Sequence, residues 1–214
     1  MTTTDREEEI SLADFVLMAI DSRLIDTHTC LPGKVVSYDR ATQTAKIQPA
    51  LKRKYKDGSV VMLPIINKVP IAYPSGKDTF IHWDLEKDDD VILVIAERSL
   101  DVWKEKGEVV SPNDPRKFNL SDAYAIPGGK PVPNAFSPKG ESGSIEITNK
   151  DASFEITKDG IFKLTNGTDE LFDLFSQTLT AIQNGTINTQ FGPMKFNNLP
   201  DFIAIQQKLD AMKG

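Results

Sequence analysis

The sequence has 214 residues, of which 39% are hydrophobic, and this length allows one or two domains with an ordinary core. Its 25 basic and 31 acidic residues give a formal net charge of −6. This balance argues against a protein that binds nucleic acid through its whole surface, because phosphate contacts need clustered lysine and arginine. Cys30 is the only cysteine, so no disulfide can form within the chain, and synthesis in a reducing cytoplasm is expected.

The N-terminal segment, 1–30, is predicted to be a tail followed by a docking helix. Residues 1–9 are polar and acidic, and we expect them to be disordered. Ser11 and Asp14 have the spacing of a capping box and predict a helix over roughly 11–25. The dense apolar run in this segment is far shorter than the ~20 residues that a membrane-spanning helix needs. Because acidic instead of basic residues precede this run, a secretory signal is not expected either.

Residues 31–104 are predicted to form a small β-barrel. Asp57-Gly58 is a hairpin turn between two short strands, and four prolines restrict other strands to edges, bends or ends. Five or six short strands without a long helix favour a Greek-key OB barrel. Apart from the hairpin, the predicted strands lie at 35–36, 43–51, 65–66, 69–73, 80–83 and 91–96.

Residues 105–143 are predicted to be an ordered but irregular linker. This segment holds six of the thirteen prolines, with Gly128-Gly129 among them. Its large apolar side chains, such as Phe118 and Tyr124, require a surface to pack against, which is why we expect the linker to be ordered.

The segment 144–167 repeats one four-residue pattern three times: apolar, charged, apolar, threonine. The copies read IEIT at 145–148, FEIT at 154–157 and FKLT at 162–165, and turn residues separate them. Because side chains two residues apart share one face of a strand, each copy directs two apolar residues to the same side. The six residues are Ile145, Ile147, Phe154, Ile156, Phe162 and Leu164.

Such short strands cannot cover this apolar face by themselves, because ordering roughly 20 residues costs more free energy than burying six apolar side chains returns. Two kinds of cover are open. The chain's own barrel or C-terminal helices can form an α+β lobe with the repeat. Alternatively, neighbouring chains turn the same face to a common axis, as in a trimeric β-helix or β-prism, and uniform copies favour this interpretation. The six residues are then the trimer core.

Residues 168–214 are predicted to be a helical segment with two amphipathic helices separated by a turn at 191–193. Apolar residues recur at 3-4-3 spacing in both helices, and we expect them to mediate helical packing. In the first helix they are Phe172, Phe175, Leu179 and Ile182, and in the second Phe202, Ile205, Leu209 and Met212. The predicted fold class is therefore mainly β: an N-terminal helix, an OB-like Greek-key barrel, a short trimeric β-helix or β-prism, and a C-terminal helical pair.

No residue pattern predicts a catalytic, cofactor-binding or metal site. His28 and His82 lack the spacing of a metal motif, and the acidic run 86–90 lacks the spacing and glycine of a calcium loop. The basic segment 52–56 (KRKYK) offers an alternative function, because OB folds bind single-stranded nucleic acid with such residues. The competing interpretation of that segment is a solvated hairpin tip. A third hypothesis, a cell-wall hydrolase, would need a carboxylate pair in a cleft, and no pair stands out.

Three stretches carry a resemblance to a known family. They are LPGKVVSYDRATQTAKIQP (31–49), DDVILVIAERSLDVW (89–103) and NLSDAYAIPG (119–128), with ERSLDVW (97–103) the most specific part. They resemble the N-terminal OB domain of central baseplate spike proteins from contractile-tailed bacteriophages, over roughly residues 10–136. The segment 141–167 is similar in kind to the short β-helical shaft that follows this domain in the family.

The resemblance implies a homotrimer in the virion, assembled in the bacterial cytoplasm and located beneath the tail tube. In the family, the OB domains contact the baseplate hub, and the shaft points at the host envelope. Related spikes of type VI secretion and R-type pyocins share this architecture. The function implied is a structural, non-enzymatic central spike that caps the tube and assists envelope penetration, with no cofactor and no nucleic acid expected.

The chain departs from the better-known members of that family at its C-terminal end. Those members finish in a tapered tip that holds iron through a His-x-His motif, and this sequence has no such motif. Two open interpretations of the terminal helices are a helical plug or knob and a seat for a separate tip protein.

Overall fold

A computed structural model describes residues 11–213, with side chains up to 210. The predicted tail, 1–9, lies outside the described residues. The chain divides after Ala135 into two compact units. Twelve strands and four α-helices within the described part of the chain make the protein mainly β, as predicted.

The first unit begins with helix α1, Leu12–Ile25. The Ser11 hydroxyl accepts a hydrogen bond from the Asp14 N–H at 3.1 Å, which caps the helix start. α1 is exposed along its whole length.

A curled five-stranded antiparallel sheet forms the body of the first unit. Its strand order is β5-β2-β1-β6-β7, and β3 and β4 form a separate hairpin. The outer strands β5 and β7 approach each other beside an isolated parallel bridge between Ile71 and Ala125, so the sheet curls into a half-barrel. The seven strands are β1 (Cys30–Asp39), β2 (Thr44–Pro49), β3 (Arg53–Lys54), β4 (Val60–Val61), β5 (Ile66–Pro70), β6 (Asp90–Ile95) and β7 (Ala123–Pro127).

The core of this unit lies inside the curl and follows the two-residue period of its strands. Val91, Leu93 and Ile95 of β6 are buried, as are Ala45 and Ile47 of β2. Gly33 of β1 also faces this core, and a Cβ atom there would lie 2.7 Å from the Ile47 Cγ2 atom. Residue 33 therefore has no room for a side chain.

Strand β7 lies inside the segment predicted to be a linker. Ala123 and Ala125 of β7 are fully buried, and the strand pairs with β6 along its length. Sequence analysis missed this strand because the segment is rich in proline. Pro127 is the last residue of β7, and proline is tolerated there because β7 is an edge strand. The barrel therefore extends beyond residue 104. The predicted strand at 80–83 is not formed, and Phe80 makes only an isolated bridge to Ser75.

Between β6 and β7, the short helix α2 (Asp101–Lys106) ends at Gly107, which adopts a left-handed conformation. A single 3-10 turn, Val132–Asn134, follows β7. No helix within 11–213 is long and apolar enough to cross a membrane.

The second unit contains a three-stranded meander, a β-hairpin and two helices. The meander strands pair in the order β10-β9-β8, and the hairpin lies between the helices at the predicted turn. The elements are β8 (Ile145–Asn149), β9 (Ala152–Ile156), β10 (Phe162–Thr165), α3 (Leu171–Asn184), β11 (Ile187–Thr189), β12 (Gly192–Met194) and α4 (Leu199–Lys213).

Helices α3 and α4 pack against each other, but not through all the residues predicted for helical packing. Five of these are partly buried: Phe172, Leu179 and Ile182 of α3, and Phe202 and Leu209 of α4. Phe175 and Ile205 remain about half exposed. The polar residues Ser176 and Gln206 contact each other between the helices instead, which turns the packing side away from Phe175. The side chain of Met212 lies outside the described residues.

We expect a Gly33→Ala substitution to lower the free energy of unfolding of the first unit by about 1–3 kcal/mol, because the added methyl group overpacks the core. Gly76 is the matched control, since a Cβ atom there would meet only the Thr79 carbonyl oxygen at 4.0 Å. Chemical denaturation of both variants checks this. Equal stability of the Gly33→Ala and Gly76→Ala variants would contradict the described packing.

Candidate functional site

The apolar face of the meander is the candidate functional site. Cross-strand pairing places its six predicted residues in two rows, and directly paired residues point to the same side of a sheet. One row is Ile145, Ile156 and Phe162, and the other is Ile147, Phe154 and Leu164. The structure thus brings all six residues together on one face.

This face is largely exposed in the single chain. Ile145 and Ile147 are 66% and 63% exposed, and Phe162 and Leu164 are 42% and 40% exposed. Phe154 and Ile156, on the central strand, are partly buried. The ring centroids of Phe154 and Phe162 lie 6.2 Å apart. The neighbouring side chains of the face thus contact each other, but the face as a whole stays accessible to solvent. A contiguous apolar surface of this kind is typical of an interaction site.

Turn residues fix the register that creates the face. Lys150 between β8 and β9 has a φ of 55°, and Gly160 between β9 and β10 has a φ of 82°. The Thr157 side-chain oxygen accepts a hydrogen bond from the Ile161 N–H at 3.1 Å, which closes the second turn. Lys150-Asp151 and Asp159-Gly160 lie at the turns where the sequence pattern predicted them.

The opposite face of the meander is polar and makes contacts within its own unit. Glu146, Glu155 and Lys163 occupy equivalent paired positions on this side. The Glu146 carboxylate accepts hydrogen bonds from the Lys139 and Gly140 N–H groups at 3.1 and 3.0 Å. The two faces therefore differ sharply in polarity.

Helix α1 presents a second exposed apolar surface. Asp21 forms an ion pair with Lys56 at 3.1 Å, and Asp26, which follows the helix, pairs with Arg53 at 3.3 Å. These ion pairs connect the C-terminal half of the helix to the β3–β4 hairpin. Around the whole helix, the large apolar side chains are exposed to solvent. They are Leu12, Phe15, Val16, Leu17, Met18, Ile20, Leu24 and Ile25.

The same ion pairs involve cations of the predicted basic segment, 52–56. Two of its cations, Arg53 and Lys56, contact acidic groups of the chain itself. The Arg53 guanidinium also donates to the Ile25 carbonyl oxygen at 3.3 Å. The segment as a whole is exposed at a hairpin tip, with Arg53 partly buried.

The most strongly interacting ionisable cluster lies around Arg116, in the predicted linker. Arg116 binds Asp122 through two hydrogen bonds of 2.6 and 2.7 Å, and it also binds Asp101 at 2.8 Å and Asp114 at 3.1 Å. The Leu100 N–H donates to Asp122 at 2.9 Å. This Arg116 cluster ties the start of α2 to the residue before β7, so its geometry serves structure.

Asp122 is fully buried. Burial alone would raise the pKa of Asp122, but hydrogen bonds from Arg116 and the Leu100 N–H outweigh burial and lower it. The hydrogen bonds to Asp122, Asp101 and Asp114 raise the pKa of Arg116, with that to Asp122 contributing most. Sequence analysis missed this cluster, because no local spacing pattern links Arg116 to Asp122 and Asp101.

The two histidines have structural neighbours. The His82 Nε2 atom lies 2.9 Å from the Tyr38 hydroxyl, and its ring lies 4.8 Å from that of Tyr73. Partial burial and the nearby Arg53 cation lower the pKa of His28. Among the described residues, no group of three or more histidine, cysteine, aspartate or glutamate side chains is arranged to hold a metal ion.

Residues 31–128 match the family model of the phage protein Gp138 N-terminal domain. The match spans the curled sheet from β1 to β7 and includes the Arg116 cluster. This match supports the phage part of the resemblance. A comparison with curated proteins gives no significant match.

Replacing Asp122 with asparagine removes the negative charge that faces Arg116 and keeps the side-chain shape. We expect the free energy of unfolding of the first unit to fall by about 1.5–3 kcal/mol, since charge-assisted hydrogen bonds to the buried carboxylate are lost while Asp101 and Asp114 still pair with Arg116. Trp83 and Trp103 are the only tryptophans, and both lie in this unit, so tryptophan fluorescence reports its denaturation.

Asp84→Asn is the matched control, because the Arg40–Asp84 pair is similarly short at 2.6 Å but exposed. Its removal should cost less than about 1 kcal/mol. The pKa of folded Asp122 lies below its ordinary value of 3.8, so the ionised carboxylate stabilises the fold above that pH, and this stabilisation is lost as the pH falls through the folded-state pKa. Identical acid-unfolding profiles of the native chain and the Asp122→Asn variant would contradict this assignment.

Proposed function

We propose that this protein is the homotrimeric central spike of a phage tail baseplate. In this role it caps the tail tube and assists penetration of the host envelope, and it acts as a structural protein of the virion without enzymatic activity. The observation that carries the proposal is the exposed apolar face of the meander in a chain that also holds a phage-protein domain.

The apolar face supports a trimer because three copies can cover one another. In a triangular β-prism, each chain supplies one wall, and the apolar sides of the three walls meet on the axis. β8, β9 and β10 pair with one another as one antiparallel meander, which is the arrangement that a separate wall requires. With adjacent strands ~4.8 Å apart, three strands give a shaft roughly 14 Å tall.

The curled sheet fits the collar part of the proposal. Its antiparallel order, β5-β2-β1-β6-β7, with a parallel bridge between the outer strands, is compatible with a five-stranded, partly open OB barrel. We propose that this barrel and α1 contact the baseplate hub and the tail tube. The support for α1 is its exposed apolar surface, since its eight large apolar side chains are all exposed in the single chain.

The same contacts make single-stranded nucleic acid a weaker alternative for the basic segment, 52–56. Arg53 and Lys56 are already partly neutralised by Asp26 and Asp21. Binding through this segment would have to compete with these ion pairs and would weaken steeply with added salt. The proposed spike function therefore includes no nucleic-acid partner.

We expect an Ile147→Asp substitution to convert the trimer into monomers, because three aspartates would then converge on one dry axis. Ile147 is 63% exposed in the single chain, so the change should barely affect the fold of each subunit. Sedimentation velocity measures the assembly, and circular dichroism measures the fold.

Thr148→Asp is the matched control, since Thr148 is exposed, adjacent in sequence and on the opposite face of β8. This variant should remain trimeric. If the Ile147→Asp variant is as trimeric as the Thr148→Asp variant, the apolar face of the meander is not the interface, and the proposal fails.

A further inference from the structure

Helix α3 carries a second apolar surface besides the side that contacts α4. Leu171, Leu174 and Phe175 are 40%, 44% and 51% exposed. They recur at helical spacing, so they line one side of the helix, hereafter the α3 stripe, which ends near the partly buried Ile182. Thr178 lies on the same side, between Leu174 and Ile182.

Helix α4 occupies a different side of α3. Phe172, Ser176 and Leu179 are the partly buried residues that follow this side, and the Ser176 hydroxyl donates to Asp210 of α4 at 3.0 Å. At about 100° of rotation per residue, the centre of this side lies roughly 100° from the centre of the α3 stripe. A helix hairpin formed by α3 and α4 therefore leaves the α3 stripe uncovered.

The α3 stripe is free of charge. The helix sequence LFDLFSQTLTAIQN contains a single charged residue, Asp173, and helical geometry places Asp173 on the far side from the stripe. Identical copies can therefore approach stripe to stripe without electrostatic repulsion. A surface shaped for a foreign partner gains specificity from charged groups at its rim, which this helix lacks.

Short contacts connect α3 to the meander. Glu170 accepts a hydrogen bond from the Leu164 N–H of β10 at 3.1 Å and caps α3 through the Asp173 N–H at 2.8 Å. An isolated bridge also joins Thr165 to Glu170. If three meanders meet on one axis, these contacts hold three copies of α3 close together, at a high effective concentration for mutual packing.

We propose that α3 of each chain packs its stripe against α3 of the other two chains, with α4 on the outside. The occupant of the α3 stripe is thus a second copy of this chain, and the trimer interface continues beyond the shaft. The inference rests on the proposed function, because the meanders supply the proximity. It assigns α3 to the assembly itself and leaves α4 as the surface available to other components.

Disulfide cross-linking tests the inference in the full-length protein. Cys30, the only native cysteine, is exposed, so Cys30→Ser provides the background. Thr178→Cys places a thiol within the α3 stripe. Thr180→Cys is the matched control, since Thr180 is also exposed and lies on nearly the opposite side of the same helix.

After mild oxidation, the Thr178→Cys protein should give covalent dimers on a non-reducing gel, with up to about two thirds of the chains linked, because each trimer holds three thiols and a disulfide joins two. The Thr180→Cys protein should stay almost entirely monomeric on the same gel. The dimer yield should not change on dilution, which separates cross-links within a trimer from random collisions.

A trimeric mass without cross-linking of the Thr178→Cys protein would overturn this inference and leave the proposed spike intact. Stronger cross-linking of the Thr180→Cys protein would overturn it as well, since α3 would then face its copies through the other side. A monomeric mass of the unmodified protein would overturn both the inference and the proposed function. Covalent dimers from the Thr178→Cys protein alone support the inference.

Discussion

The structure of the second unit depends on one constraint: a sheet with an apolar face needs another layer to cover that face. In the meander β8–β10, the six apolar residues lie on one side, and four of them remain at least 40% exposed in the single chain. The unit's own hydrogen bonds and turns fix the strands, but its other elements leave these four side chains exposed. Stable domains are built from packed layers around a hydrophobic core, which is why we propose that something outside the chain covers this face. In the proposed trimer, copies of the same chain would supply this layer.

The first unit covers the apolar face of its sheet by itself. Its sheet curls until β5 and β7 approach, and the enclosed core buries Val35, Ile47, Val69, Val91 and Leu93 almost completely. The Arg116 cluster joins α2 to the start of β7. This contact helps to fix the position of β7, the fifth strand of the sheet. A barrel that buries its own core, followed by a meander with an exposed apolar face, is compatible with the proposed subunit, in which the barrel would contact other components and the meander would be covered by its copies.

The sequence predicted the meander better than the sheet, and the reasons are physical. The meander has strict two-residue alternation and turn residues at Lys150-Asp151 and Asp159-Gly160, so local rules determine its register. Strand β7 escaped prediction because its buried residues are alanines and its end is Pro127, neither of which signals a strand. The Arg116 cluster depends on residues brought together by the fold. The packing of α3 on α4 was only partly predicted, because Ser176 and Gln206 take central positions that spacing assigned to apolar side chains.

The mass of the unmodified protein in solution tests the central claim most directly. Each chain has a mass of 23.7 kDa, and the account predicts a single species of about 71 kDa, three times that value, by sedimentation equilibrium or native mass spectrometry. The species should persist on dilution, since its core exists only when three meanders meet. A stable, folded monomer of 23.7 kDa with the meander strands formed would contradict the account.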